Sequence, residues 1–254
     1  MSMPKIISHR GANVYTPQNT MPAFEMANAL HADGFETDVH MTKDGVLVIC
    51  HNYTIEATSN GNGEISEMTL EQLKEYDFGS YFAPRFKDTR IPTVDEFLEF
   101  TKTTNISVLN IELKSPRAAE TDIVKKTIAA VKEHGLWDRL LISSFDPKLL
   151  VQAKQIDKTC KTGFLYSPDR STSMQMFRRP VEFAKEIGAD ALHPHEVYIN
   201  KNYVKNAHDA GVEVNVWTVD KVRSIERMIR HGVDGIITNC PDVVGGLVYK
   251  HTEE

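Results

Sequence analysis

The sequence predicts an α/β fold, a TIM (β/α)₈ barrel, and three observations carry that prediction. Short β-branched runs alternate with longer segments of helical spacing, about eight such units fit the chain, and no repeat, low-complexity tract or linker interrupts them. Strand–helix alternation implies parallel strands joined by right-handed crossovers. A closed barrel of this kind typically takes about 250 residues as one domain, and the chain has 254. The count favours a closed barrel over an open doubly wound sheet, and residues 1–254 are expected to form a single domain.

The candidate strands are 5–9, 35–40, 46–51, 107–113, 140–145, 161–166, 190–194, 213–219 and 235–238. Helical patterns lie between most of them. Residues 20–32 carry Phe24, Ala27 and Leu30 on one side, with Asn19 or Thr20 as N-cap and Gly34 just past the end. Residues 118–134, 147–156, 180–187, 200–210 and 221–231 read the same way. The rhythm breaks once, in an insertion over 52–92 after the second strand. It is turn-rich at Asn60-Gly61-Asn62-Gly63, short-helical from Thr69 to Tyr76, then aromatic at Phe78, Tyr81, Phe82 and Phe86. Because binding loops gather at the C-terminal end of such barrels, the insertion is expected to cover the active-site end. A surface excursion with a minor core of its own is the alternative.

Composition narrows the partners. Lys and Arg total 29 against 35 Asp and Glu, a net charge of −6 with His neutral. That balance argues against non-specific nucleic-acid binding. Hydrophobic residues make up 41%, enough for a sizeable core, yet no apolar run is long enough to span a membrane or mark a membrane anchor. Strand-like sequence starts at once, with no secretory pattern before it. Cys50, Cys160 and Cys240 are far apart and in no metal-ligand spacing, so reduced thiols in the cytoplasm are expected. The oligomeric state is left open, a homodimer among the options.

The chemistry lies where strands carry ionisable residues. Period two puts Glu36, Asp38 and His40 on one face of 35–40, with Phe35, Thr37 and Val39 on the other. In 107–113 and just beyond, Asn110, Glu112 and Lys114 share a face opposite Ile111 and Leu113. If the apolar faces meet the helices, Glu36, Asp38, Glu112 and Lys114 point into the barrel near its C-terminal end. Three inward carboxylates repel unless a cation neutralises them, and an all-oxygen set suits Mg²⁺ or Ca²⁺ better than Zn²⁺. A salt-bridge network with Lys114 and Arg10 is the alternative. His9 closes the first strand and His51 the run from Val46 to Cys50, both at C-terminal strand ends beside the carboxylates. Arg10 offers a planar fork for phosphate oxygens, and Gly11 would let backbone approach an anion.

His9-Arg10-Gly11 followed by Pro17-Gln18-Asn19-Thr20 resembles the HRG…PENT signature of the glycerophosphodiester phosphodiesterase family. The resemblance continues through Gly34-Phe35-Glu36-Thr37-Asp38-Val39, Thr42-Lys43-Asp44-Gly45, His51, Ile91-Pro92-Thr93 and Ile111-Glu112-Leu113-Lys114. It extends to Ser143-Ser144-Phe145, Val216-Trp217-Thr218-Val219 and Gly232 through Thr238. The blocks keep their order over nearly the whole chain. Any one block is weak; together they are specific.

The resemblance implies a metal-dependent hydrolase that cleaves glycerophosphodiesters to glycerol 3-phosphate and an alcohol. It implies Glu36, Asp38 and Glu112 as ligands of one divalent cation, Mg²⁺ or Ca²⁺, and His9 and His51 as the acid–base pair. Arg10 and Lys114 would bind phosphate, and Trp217 would line the substrate site. The nucleophile would be the substrate's own neighbouring hydroxyl, giving a cyclic phosphate that water opens. Three departures stand out: Gln18 replaces the usual Glu, Asn52 the Asp after the second histidine, and Asn239 an Asp after the last strand. None removes a predicted ligand or acid–base residue. Two rival functions are a lysophospholipase D-type lipid phosphodiesterase and a non-catalytic barrel that binds a phosphorylated ligand.

Overall fold

The structure is a computed structural model that describes residues 3–115, 122–167 and 179–252. Eight parallel strands close on themselves: β1 (Lys5–His9), β2 (Gly34–Met41), β4 (Val108–Leu113), β5 (Leu140–Ser144), β6 (Lys161–Tyr166), β7 (Ala191–Pro194), β8 (Glu213–Val216) and β9 (Gly235–Thr238). Pairing of β1 with both β2 and β9 shuts the barrel. A ninth strand, β3 (Leu47–Ile49), pairs antiparallel with β2.

Helices wrap the barrel and bury its outer apolar face. α1 (Met21–Ala29) drives Phe24 against Phe35 of β2 and against Phe97 of a later helix, with ring centroids 5.8 and 4.4 Å apart. α1 stops earlier than its spacing suggests, at Leu30, where His31 takes a positive φ. Gly34 has a different task from ending the helix. A Cβ there would meet the Val108 carbonyl oxygen at 2.6 Å, so only glycine allows β2 and β4 to approach this closely.

After β2 the chain makes a long excursion. It holds β3 and α2 (Leu70–Lys74), which opens with a Thr69–Gln72 capping box. Val48, Ile55, Ile65, Leu73, Phe78 and Ile91 bury one another in a small core separate from the main one. The chain rejoins the barrel at α3 (Val94–Lys102), again through a capping box, between Thr93 and Glu96. That helix carries Phe97 and is absent from the helical segments predicted above.

The remaining helices lie where expected: α4 (Ile123–Glu133), α5 (Pro147–Ile156), α6 (Pro180–Ile187), α7 (Lys201–Asp209) and α8 (Val222–His231). Of the predicted helix 118–134, residues 118–121 lie outside the described residues. α9 (Pro241–Thr252) is an addition to the predicted set. Among the described residues no helix is long and apolar enough to cross a membrane.

One expectation needs correction. The sequence reading counts 46–51 among the barrel strands, with His51 at a C-terminal strand end. The strand there is short and antiparallel, outside the closed ring of eight. Hydrophobic patterning gives no strand direction, so the run reads alike either way. His51 still reaches the same end of the barrel, because Cys50 N–H donates to the Asp38 carbonyl at 3.0 Å and carries the next residue alongside.

Candidate active site

Period-two alternation in two neighbouring strands builds the centre. On β2, Phe35 and Val39 face the helices in the main core, while Glu36 and Asp38 face inward. On β4, Ile111 and Leu113 face outward, with Asn110 and Glu112 inward. Register then sets Glu36 beside Asn110 and Asp38 beside Glu112. One oxygen from each of Glu36, Asp38 and Glu112 lies within 4.8 Å of the others, and all three side chains are buried. The third neighbour is β1, whose His9 pairs with Glu36, so its Nε2 lies 4.0 Å from Glu36 Oε2.

Two cations reach the cluster. Lys114 Nζ lies 2.6 Å from Asp38 Oδ1 and donates to Glu112 Oε1 at 2.5 Å, and Arg10 Nε lies 3.3 Å from Asp38 Oδ2. Asn19 Nδ2 also donates to Asp38 Oδ2 at 2.8 Å. Three carboxylates against two cations leave an excess negative charge in a buried place. The consequences differ by residue. Burial would raise Asp38, yet Lys114 and Arg10 outweigh it and hold the carboxyl well below its usual range. Glu36 is pushed well up by burial, then by Asp38 and Glu112. Glu112 is raised by burial and Asp38 despite Lys114.

This donor set fits a divalent cation. It is all oxygen, convergent and under-compensated, which suits Mg²⁺ or Ca²⁺. Asn110 Oδ1, buried and without a hydrogen-bond partner among the described residues, lines the same cavity.

That cavity, of about 140 Å³, opens where the predicted residues meet. His9, Arg10, Glu36, His51, Glu112 and Trp217 all line it; Asp38 and Lys114 stand behind, paired with each other. Burial and the Arg10 charge press His9 down to about 3. Burial presses His51 down to about 4 against the pull of Asp38. Both rings are therefore neutral near pH 7. The Nδ1 of each faces an asparagine oxygen at 2.7 Å, Asn239 for His9 and Asn52 for His51. Both of those asparagines are family departures. The third departure, Gln18, accepts from Arg10 Nη1 at 2.7 Å.

Trp217 spends its indole N–H on the His193 carbonyl at 2.6 Å, so it offers the cavity only ring surface. Phe145 meets that ring edge-on at 5.7 Å and shares the cavity wall with Leu165. Neither Phe145 nor Leu165 is among the predicted site residues, and neither is distinguishable by sequence from a core apolar residue. Gly11 has a packing role. A Cβ there would meet the Ala23 backbone at 2.5 Å, so its positive φ and bare Cα serve close packing on α1. Tyr81 and Phe82 do not line the cavity; the Tyr81 oxygen accepts the Gln18 backbone N–H at 3.1 Å.

Comparison with known proteins points one way. The Glycerophosphoryl diester phosphodiesterase family matches residues 9–243. A glycerophosphodiester phosphodiesterase of Caldanaerobacter subterraneus subsp. tengcongensis is 39% identical over 245 residues, covering 96% of this chain and 98% of its own. Among solved structures, an Oleispira antarctica phosphodiesterase in complex with the product sn-glycerol-3-phosphate has a TM-score of 0.87 at 26% identity, covering 97% of each chain. A glycerophosphodiester phosphodiesterase from Agrobacterium tumefaciens has a TM-score of 0.82 at 26% identity, covering 96% of this chain and 100% of the other. With its barrel, its motif blocks and a match spanning nearly all its length, the chain belongs to the glycerophosphoryl diester phosphodiesterase family.

Proposed function

We propose that this enzyme, a glycerophosphodiester phosphodiesterase by family, hydrolyses a small glycerophosphodiester to glycerol 3-phosphate and an alcohol, using one divalent cation and two histidines. The observation that carries the reading is the buried cluster of Glu36, Asp38 and Glu112 beside the imidazoles of His9 and His51 at one cavity. A phosphodiester is a poor electrophile because its own negative charge repels nucleophiles. Mg²⁺ or Ca²⁺ held by the three carboxylates would supply Lewis-acid neutralisation of the non-bridging oxygens. Arg10, which lines the cavity, would bind the phosphate oxygens. Lys114 keeps Asp38 and Glu112 in place and adds positive potential from behind.

One imidazole takes the proton of the attacking hydroxyl, and the other gives one to the departing alcohol. Neutral rings suit the first task directly, and the burial that keeps them neutral makes a protonated ring a strong acid for the second. Trp217 and Phe145 form the apolar wall against which the alcohol carbons pack. The excursion after β2 covers this end of the barrel within the single domain. Tyr81 against Gln18, and Tyr53 hydroxyl donating to the Ser115 carbonyl at 2.9 Å, support that reading. Cys50, Cys160 and Cys240 are free and buried, which supports the reading of reduced thiols in a cytoplasm.

Product analysis tests the reaction. Glycerophosphocholine incubated with the protein and Mg²⁺ or Ca²⁺ should yield glycerol 3-phosphate and choline. Formation of phosphocholine and glycerol, or no turnover with either ion, would overturn the proposal.

A further inference from the structure

We propose that Asp220 is a positioning residue for this hydrolysis: acting through Asn239, it decides which ring nitrogen of His9 carries the hydrogen. The inference deepens the two-histidine reading and rests on it.

Asp220 follows β8, and Asn239 follows the adjacent strand β9. Asp220 Oδ1 accepts the Asn239 backbone N–H at 2.8 Å and the Thr238 hydroxyl at 3.1 Å. Its Oδ2 accepts from Asn239 Nδ2 at 2.7 Å. An ionised carboxylate only accepts, so the nitrogen of the Asn239 amide must face Asp220 and the oxygen must face away. That oxygen meets His9 Nδ1 at 2.7 Å and Asn13 Nδ2 at 2.6 Å. Asn13 is itself fixed, because Nδ2 also donates to the His9 carbonyl at 2.8 Å.

An amide oxygen cannot donate, so His9 Nδ1 must carry the hydrogen. The neutral ring then keeps its lone pair on Nε2, the nitrogen that faces the carboxylate cluster. Turning the Asn239 amide over would set oxygen against the Asp220 carboxylate and nitrogen against the Asn13 donor. The tautomer is thus imposed from two residues away, and the ring is oriented without a carboxylate in contact with Nδ1. Asn52 has no such anchor among the described residues, so its oxygen faces His51 without a second partner to hold the amide.

The test reads the tautomer directly. Long-range ¹H–¹⁵N spectra of histidine-labelled protein in saturating Mg²⁺ are assigned to His9 by the signals lost in His9→Gln. The wild-type protein should show a protonated Nδ1 and a bare Nε2. Asp220→Ala should mix or invert that pattern and lower kcat by roughly 10–100-fold, a range common for partners behind a reactive histidine, with KM little changed. Because Asp220→Ala could disturb the loop, a second pair of variants reads polarity instead. Asn239→Asp alone sets two carboxylates face to face and should be impaired. Asn239→Asp combined with Asp220→Asn restores one donor between the positions and keeps an oxygen on Nδ1, so activity should recover with the wild-type tautomer. An unchanged His9 pattern in Asp220→Ala, or a double variant no better than Asn239→Asp, overturns the proposal alone. Full activity in His9→Gln overturns the two-histidine reading and this proposal with it.

Discussion

The two ends of the barrel use carboxylates in opposite ways. At the N-terminal end, Asp33, Asp190 and Asp234 each directly precede a strand and accept a backbone N–H from the neighbouring strand: Ile6 at 2.8 Å, Thr162 at 2.7 Å and Val214 at 2.7 Å. Two of them also have a basic partner, Lys154 for Asp190 and His208 for Asp234. Each charge has its own donors, while burial and then Asp234 raise the carboxyl of nearby Glu213. At the C-terminal end, Glu36, Asp38 and Glu112 converge on one point with too little positive charge to balance them. A charge paired one-for-one with donors holds a structure together. A charge left in excess in a buried place could hold a cation, at the end where barrels of this type do chemistry.

Breaking each end should therefore give different losses. The largest belongs to the acidic cluster: Glu36→Ala, Asp38→Ala or Glu112→Ala should abolish metal-dependent turnover in a protein that circular dichroism shows to be folded. Wild type should also gain stability with Mg²⁺ or Ca²⁺, about 2.7 kcal/mol at 100 times Kd, and these variants should lose that gain. Full activity in any one of them removes that residue from the site.

Next come the histidines. His9→Ala and His51→Ala should each lower kcat by about 10²–10⁴-fold on a natural diester. A p-nitrophenyl phosphodiester, whose leaving group departs without protonation, should restore only the variant that lacks the general acid. Equal recovery of both would contradict the division of labour.

The opposite end should respond in stability alone. Asp190→Ala strands the buried Thr162 N–H and should cost about 1–3 kcal/mol, read by urea titration, with kcat/KM unchanged. Loss of activity in a folded Asp190→Ala protein would end the distinction between the two ends.

A further effect on stability is a pH dependence. His193, wholly buried inside the barrel, is pushed down to about 3 by burial, against about 6.5 in an unfolded chain. Between those values the unfolded chain binds a proton that the folded one refuses. Its contribution is full above about pH 6.5 and is lost as pH falls toward 3. Thermal midpoints should drop across that window, and less steeply in His193→Gln.

Much of this was readable in the sequence because it depends on period two. Phe35 and Val39 outward dictate Glu36 and Asp38 inward, and the same holds for Ile111 and Glu112. What escaped has physical causes. An apolar run such as Val46 to Cys50 carries no direction, so an antiparallel strand passed for a barrel strand. α3 had a signal in its Thr93–Glu96 capping box that spacing alone did not use. The Asp220–Asn239–His9 chain had none, since its members are brought together only by barrel closure, β9 lying between β8 and β1. Asn239 was visible as a departure, but its bond to His9 was not.

The proposed chemistry depends most on the cation. The direct measurement is glycerophosphodiester turnover by protein stripped with chelator, shown metal-free by elemental analysis, then titrated with Mg²⁺ or Ca²⁺. The stripped protein should show no turnover, with a saturable return on added ion. Undiminished turnover by the metal-free protein would contradict that chemistry.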